Sequence, residues 1–154
     1  MVGDLAGVAE PDIVAPFHHV LEDAPQLTSD LQWLEGECAQ FAQDYQNKLA
    51  TLNADELLSC IHRNEKISAI AGRIMSFAGL RYYQNTMDSE RAKFMADVQD
   101  KITAYTTPLV FYGLEFNRLD DAHLEAMLAA NADLARYKPV FDRMRAMKPH
   151  QLSD

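Results

Sequence analysis

Residues 95–119 read MADVQDKITAYTTPLVFYGLEFNRL, and their reading decides the fold. Met95, Val98, Ile102, Tyr105, Leu109, Tyr112, Phe116 and Leu119 recur at alternating intervals of three and four. That spacing puts one apolar stripe on one face of a helix, and a strand would need a period of two. Leu109-Val110-Phe111-Tyr112 has the composition of a strand, but it keeps the helical stripe. Pro108 removes a backbone N–H and crowds the preceding turn, so a kink, or a helix end one turn earlier, is expected there.

Working outward, no proline occurs between Pro25 and Pro108, which leaves room for long helices. Upstream, Leu31, Leu34, Cys38, Phe41 and Tyr45 repeat the same alternation. Ser29 and Gln32 have capping-box spacing, with Asp30 at the positive end of the helix dipole, so the first helix is expected to start near Ser29. Asn53 and Glu56 form a second such pair and open a helix expected to run to about Tyr83. Its early apolar residues (Leu57, Leu58, Ile61) face another way than its later ones (Ile67, Ile70, Ile74, Phe77). The polar turn His62–Lys66 lies between them. The helix changes neighbours there, bends, or is two helices, and one helix that switches partners is the reading favoured.

Gln84–Asp88 reads as a turn, with Asp88 or Ser89 capping the third helix. Asp120-Asp121 starts a short helix through about Ala130, and Asn131–Asp133 starts another that ends before Pro149. The fold class is therefore all-α, an antiparallel bundle of three long and two shorter helices.

The chain has 154 residues, enough for one ordinary domain, and its 48% hydrophobic and 24% charged residues are those of a globular one. Net charge is −9, which argues against a phosphate-neutralising nucleic-acid binder and against a polybasic membrane patch. Residues 1–30 carry six acids and no Lys or Arg, and the rest of the chain is close to neutral. Residues 1–28 are read as an acidic irregular leader. Two cysteines, Cys38 and Cys60, make no disulfide framework, so a reducing compartment is expected. No apolar run approaches the ~18 residues of a membrane span, and no basic segment precedes an apolar one at the start. A cytoplasmic location, with neither nucleic acid nor membrane as partner, follows as the expectation.

Chemistry is sparse. No His-Glu-x-x-His pair occurs, and Cys60 and His62 would point about 200° apart on a helix. Asp120-x-x-His123 is a single match to half a di-iron motif, better read as Asp120 capping a helix with His123 exposed. Neither a Gly-x-Ser-x-Gly elbow nor a phosphate-binding Gly-rich loop is present. Cys38 lies on the apolar stripe and reads as a small interior residue. No catalytic or metal-binding residue is assigned. The aromatics stand out instead: Tyr82 and Tyr83 near a helix end, and Tyr105, Phe111, Tyr112 and Phe116 around Pro108. They are interior, or they form a docking surface. Glu115 among them lies on the wet face, or is buried against an Arg or a helix terminus, where it must be paired.

In order and spacing, three segments resemble the N-terminal domain of oligoendopeptidase F, of the M3 zinc metallopeptidases. They are SFAGLRYYQNTMD at 76–88, PLVFYGLEFN at 108–117, and YKPVF at 137–141 followed by KPHQLS at 148–153. The resemblance covers roughly residues 29–154. It implies a helical N-terminal domain over 29–148, and a linker from 149 to 154 toward a catalytic domain. It further implies a parent enzyme that hydrolyses short peptides with a zinc-bound water and a Glu general base in His-Glu-x-x-His. None of those catalytic residues is in this chain, so the expectation is an excised or truncated domain, inactive alone, with no cofactor of its own. Its partners would be the catalytic domain and, through it, short peptides. Tyr82, Tyr83, Tyr105, Phe111, Tyr112, Glu115 and Phe116 are then candidates for an interdomain or substrate-channel surface. The alternative is a free-standing helical interaction module.

Overall fold

The computed structural model describes residues 24–146 and 148–150. In chain order the helices are α1 (Ala24–Tyr45), α2 (Ala54–Tyr83), α3 (Ser89–Thr106), α4 (Val110–Arg118), α5 (Asp121–Ala130), α6 (Ala132–Ala135) and α7 (Lys138–Ala146). Single 3-10 turns cover Leu49–Thr51, Thr107–Leu109 and Lys148–His150. Among the described residues there is no strand, and the fold is all-α.

The frame is α2, and the reason it starts where it does is local. Asn53 Oδ1 accepts the N–H groups of Asp55 and Glu56, both at 3.0 Å, and Glu56 Oε2 accepts the Asn53 N–H at 2.9 Å. Three donors that a helix start leaves orphaned are thereby satisfied. Asn53→Ala should lower stability by about 1 kcal/mol, read as a shifted urea midpoint at unchanged slope.

From that cap α2 runs unbroken through the polar turn 62–66 and exchanges neighbours as it goes. Its first half meets the C-terminal helices: Asn131 donates to Asp55 at 2.6 Å, and the Tyr137 hydroxyl donates to Glu65 at 2.9 Å. Its second half meets α3, and α1 lies along it from Arg63 to Arg73. Arg73 pairs with Asp30 at 2.6 Å, and the Phe77 ring stands edge-on to Phe94 at 6.0 Å. Arg63 with Glu37, Lys66 over the Trp33 ring and Arg73 with Asp30 descend along α1 as they climb α2, so the two are antiparallel.

Two expected boundaries move. α1 begins at Ala24 and not near Ser29, so Ser29 lies inside the helix. Pro25 falls in the first turn, where a missing N–H costs nothing, and the stripe extends back to the partly buried Leu27. Asp30 consequently serves Arg73 and not a helix start. The leader up to residue 23 lies outside the described residues. The last expected helix, from 131 to about 148, is divided. Asn131 caps the one-turn α6 through the N–H groups of Asp133 and Leu134, and a new helix opens at Lys138. Pro139, with no N–H to give, fits the first turn of α7 but not the interior of a longer helix. Asp88 caps α3 and Asp120 caps α5, as their positions predict.

Pro108 divides the deciding stripe: α3 stops at Thr106, a 3-10 turn carries the proline, and α4 resumes at Val110. The stripe nevertheless holds across the break. Val98, Phe116 and Leu119 are buried, and Met95, Ile102, Tyr105, Leu109 and Tyr112 pack against the core. The bundle therefore has its three long helices, with more short ones than the sequence reading counted, because two prolines each cut a helix. α7 is tied down through Arg145, which pairs with Asp121 and donates to the Leu119 carbonyl at 2.8 Å.

Candidate functional site

A file of aromatic rings crosses the bundle from α1 to α7. Phe41, fully buried, has Tyr45 at 4.8 Å, Tyr112 at 6.0 Å and Phe111 at 6.1 Å between ring centres. Tyr112 leads to Phe116 at 6.3 Å, Phe116 to Phe141 at 4.8 Å, and Phe141 stacks on Tyr137 at 6.2 Å. His62 stands 6.1 Å beyond, at the surface. Phe111 and Phe116 thus fill the chain's own interior. Tyr112 is half-buried, and burial pushes its hydroxyl well above the ordinary tyrosine range, with Cys60, Glu65 and Tyr137 adding to it.

Of the other sequence candidates, Tyr105 lies on α3 facing Glu35 of α1. Burial first, and Glu35 second, raise its hydroxyl. Tyr82 and Tyr83 lie at the far end of α2, rings 5.3 Å apart, with Tyr83 67% exposed. The seven residues do not converge on one place. Tyr105, Phe111, Tyr112, Glu115 and Phe116 belong to the middle and the C-terminal layer, and the tyrosine pair belongs to the α2–α3 turn.

Glu115 resolves into the paired reading. Half-buried, it accepts the Asn47 N–H at 2.6 Å and the Leu49 N–H at 3.4 Å. Those donors open the 3-10 turn Leu49–Thr51, just after Asn47 at φ 63°. That left-handed backbone suits asparagine. Glu115 therefore pins the α1–α2 connection to α4, satisfying amides that a helix start leaves unpaired.

Two features escaped the sequence reading. The first is Arg63, whose Nε and a terminal nitrogen reach Glu37 and Asp44 at 2.7 Å each while its guanidinium lies 5.3 Å from Tyr45 and 5.7 Å from Phe41. Its only signal was the polar turn 62–66. The second is an open groove of about 470 Å³ lined by His62, Asp133, Arg136, Tyr137 and Val140. Residues so far apart in sequence gave it no signal.

The site residues pack and pair; they do not assemble a reacting centre. Among the described residues no group of three or more His, Cys, Asp or Glu side chains lies close enough to hold a metal ion. Asp120 accepts the His123 N–H at 2.9 Å, as a cap does. Both cysteines are buried. Burial, with the negative charge of Glu37, pushes the Cys38 thiol up to about 11. Burial pushes Cys60 up to about 12, with Glu115 adding to it and Arg63 opposing. Both stay protonated at neutral pH, so a disulfide reagent at pH 8 should titrate neither thiol until urea unfolds the chain, and then both. Rapid titration in the native state would contradict this placement. No helix among the described residues is long and apolar enough to cross a membrane.

No curated protein and no solved structure matches the chain. A family model does: the N-terminal model of the M3 peptidases, described as Oligopeptidase F, matches residues 115–154. The matched stretch opens at Glu115, takes in α5, α6 and α7, and includes the 137–141 and 148–153 segments quoted above. Segment 76–88 lies outside it. Over residues 115–154 this chain is similar to the N-terminal domain of the peptidases described as Oligopeptidase F.

Proposed function

We propose that this chain is the noncatalytic N-terminal domain of a zinc-dependent, cytoplasmic oligoendopeptidase, and that it forms a wall or lid of the channel that admits short peptides. The observation that carries the reading is the match over residues 115–154, which falls on the helices packed against the first half of α2. A packed helical surface suits the role, because excluding folded substrates is a steric task and needs no nucleophile, base or metal on this domain. Zinc chemistry, in this reading, belongs to polypeptide carrying His-Glu-x-x-His, where the metal activates water.

The reading frame beyond codon 154 tests this. A continuation with a His-Glu-x-x-His motif some hundreds of residues on is the expected result. A stop codon there would overturn it in favour of a free-standing interaction module.

A further inference from the structure

The groove between α2 and the α6–α7 corner holds a guanidinium that the bundle does not use. His62 lies on the α2 side, and Asp133, Arg136, Tyr137 and Val140 line the other, around about 470 Å³. That volume suits a small organic ligand. The aromatic wall is fixed from behind. The Tyr137 ring stacks on Phe141 at 6.2 Å, its hydroxyl donates to Glu65 at 2.9 Å, and the His62 ring stands 6.1 Å away. Val140 adds an apolar side chain that is 51% exposed.

Charge around the groove is unevenly committed. Arg136 is 83% exposed and stands 3.7 Å from the Asp133 carboxylate, beyond hydrogen-bond distance, so its fork of donors is unfilled among the described residues. The acids beside it are Asp133 and Glu65, and Glu65 already accepts the Tyr137 hydroxyl. Lys138 is taken by Glu125 at 3.0 Å and Asp142 at 3.3 Å. Arg143, three residues past Val140 on the same face of α7, is exposed and has no partner among the described residues. Two available guanidiniums therefore flank an exposed valine, against one loosely paired carboxylate, Asp133.

We propose that this groove binds the free carboxyl end of a short peptide whose last residue is apolar. The carboxylate takes Arg136 in place of the loose Asp133 contact, and the side chain lies against Val140 and the Tyr137 ring. A planar guanidinium matches a carboxylate with two parallel hydrogen bonds, which the 3.7 Å contact does not make. A short linear peptide carries such an end, and a loop of a folded protein does not, so the groove adds a chemical criterion to a steric one. Its place in peptide hydrolysis rests on the channel reading above, whereas the binding itself does not.

The test titrates the full 15N-labelled chain with acetyl-Ala-Ala-Ala-Leu, as the free acid and as the carboxamide, and follows the backbone amide signals of residues 133–141. A dissociation constant of about 1 mM is expected of so open a site. The carboxamide and Arg136→Gln should each weaken binding about tenfold, and together hardly more than either alone, because both remove the same contact. Asp133→Asn, which removes the charge opposing the ligand, should tighten it severalfold. Both side chains are exposed, so neither change should disturb the fold, and circular dichroism checks this. Equal affinity for acid and amide, or for the native chain and Arg136→Gln, would overturn the proposal, as would no saturable shift up to about 10 mM peptide. Weaker binding by Asp133→Asn would also overturn it and assign the groove to an ammonium group. Binding by a chain whose gene stops at codon 154 would remove the channel reading and keep the groove, and an M3 continuation without binding would do the reverse.

Discussion

Phe41→Ala lowers the unfolding free energy by about 3–5 kcal/mol, the largest effect expected of any single truncation in this chain. Phe41 is fully buried where α1, α2 and α4 meet, with three aromatic rings around it and the Arg63 guanidinium over it. Removing the ring forfeits its transfer free energy and leaves a cavity that the packed helices cannot collapse around. A domain of this size is stable by about 5–15 kcal/mol in all, so the variant sits near the edge of folding. Phe41→Leu keeps most of the volume and should cost less than about 1.5 kcal/mol. Urea denaturation followed by circular dichroism measures both. A loss below about 1 kcal/mol for the alanine variant would mean that the ring is not enclosed.

The second large effect is expected from Arg63→Met, which keeps the length of the side chain but strands Glu37. Glu37 is 23% exposed and Arg63 30%, so the pair lies between surface bridges, worth about 0–1 kcal/mol, and buried ones, whose breaking costs about 3–5 kcal/mol. We expect about 2 kcal/mol. Asp44 adds a pH signature. Its hydrogen bond to Arg63, and secondarily one from Gln40, holds its carboxyl below the usual carboxylate range. A carboxyl whose folded value is depressed contributes stability that is present above its unfolded value and is lost as pH falls through the folded one. The stability gap between native chain and variant should therefore narrow on acidification from neutral pH into the carboxylate range. A gap independent of pH would show that Asp44 and Arg63 are not coupled.

The features legible in the sequence were those set by local chemistry. The box at Asn53 and Glu56 needs only three intervening bonds' worth of chain, and it appears as read. The stripe from Met95 to Leu119 survives Pro108 because an apolar face is worth more than the continuity of one helix. Prolines were harder. Pro25 and Pro139 each sit in a first turn, where a proline starts a helix; Pro25 lies ahead of the start expected at Ser29, and Pro139 lies inside the helix expected to run on from Asn131. Long-range pairing was not legible at all. Arg63 finds Glu37 and Asp44 across 26 and 19 residues, and Glu115 finds its amides on a turn 68 and 66 residues away. The spacing of Glu115 among aromatics showed that it was unusual, but a single chain of letters does not carry the register of two helices.

The same limit explains the candidate surface. Phe111, Tyr112 and Phe116 were singled out as aromatics clustered near a proline, and the cluster is real. Its direction depends on Phe41 and Phe141, which arrive from α1 and α7 and close over it. Tyr83 and Met87, in contrast, stay exposed among the described residues.

The most direct test of the domain assignment is to mix this chain with the separately expressed catalytic domain of an M3 oligopeptidase and to follow association by sedimentation velocity alongside hydrolysis of peptides of graded length. The account predicts a one-to-one complex whose activity is confined to short peptides, with the chain inert by itself. Peptide cleavage by this chain alone, or its failure to bind the catalytic domain and alter the length profile, would contradict it.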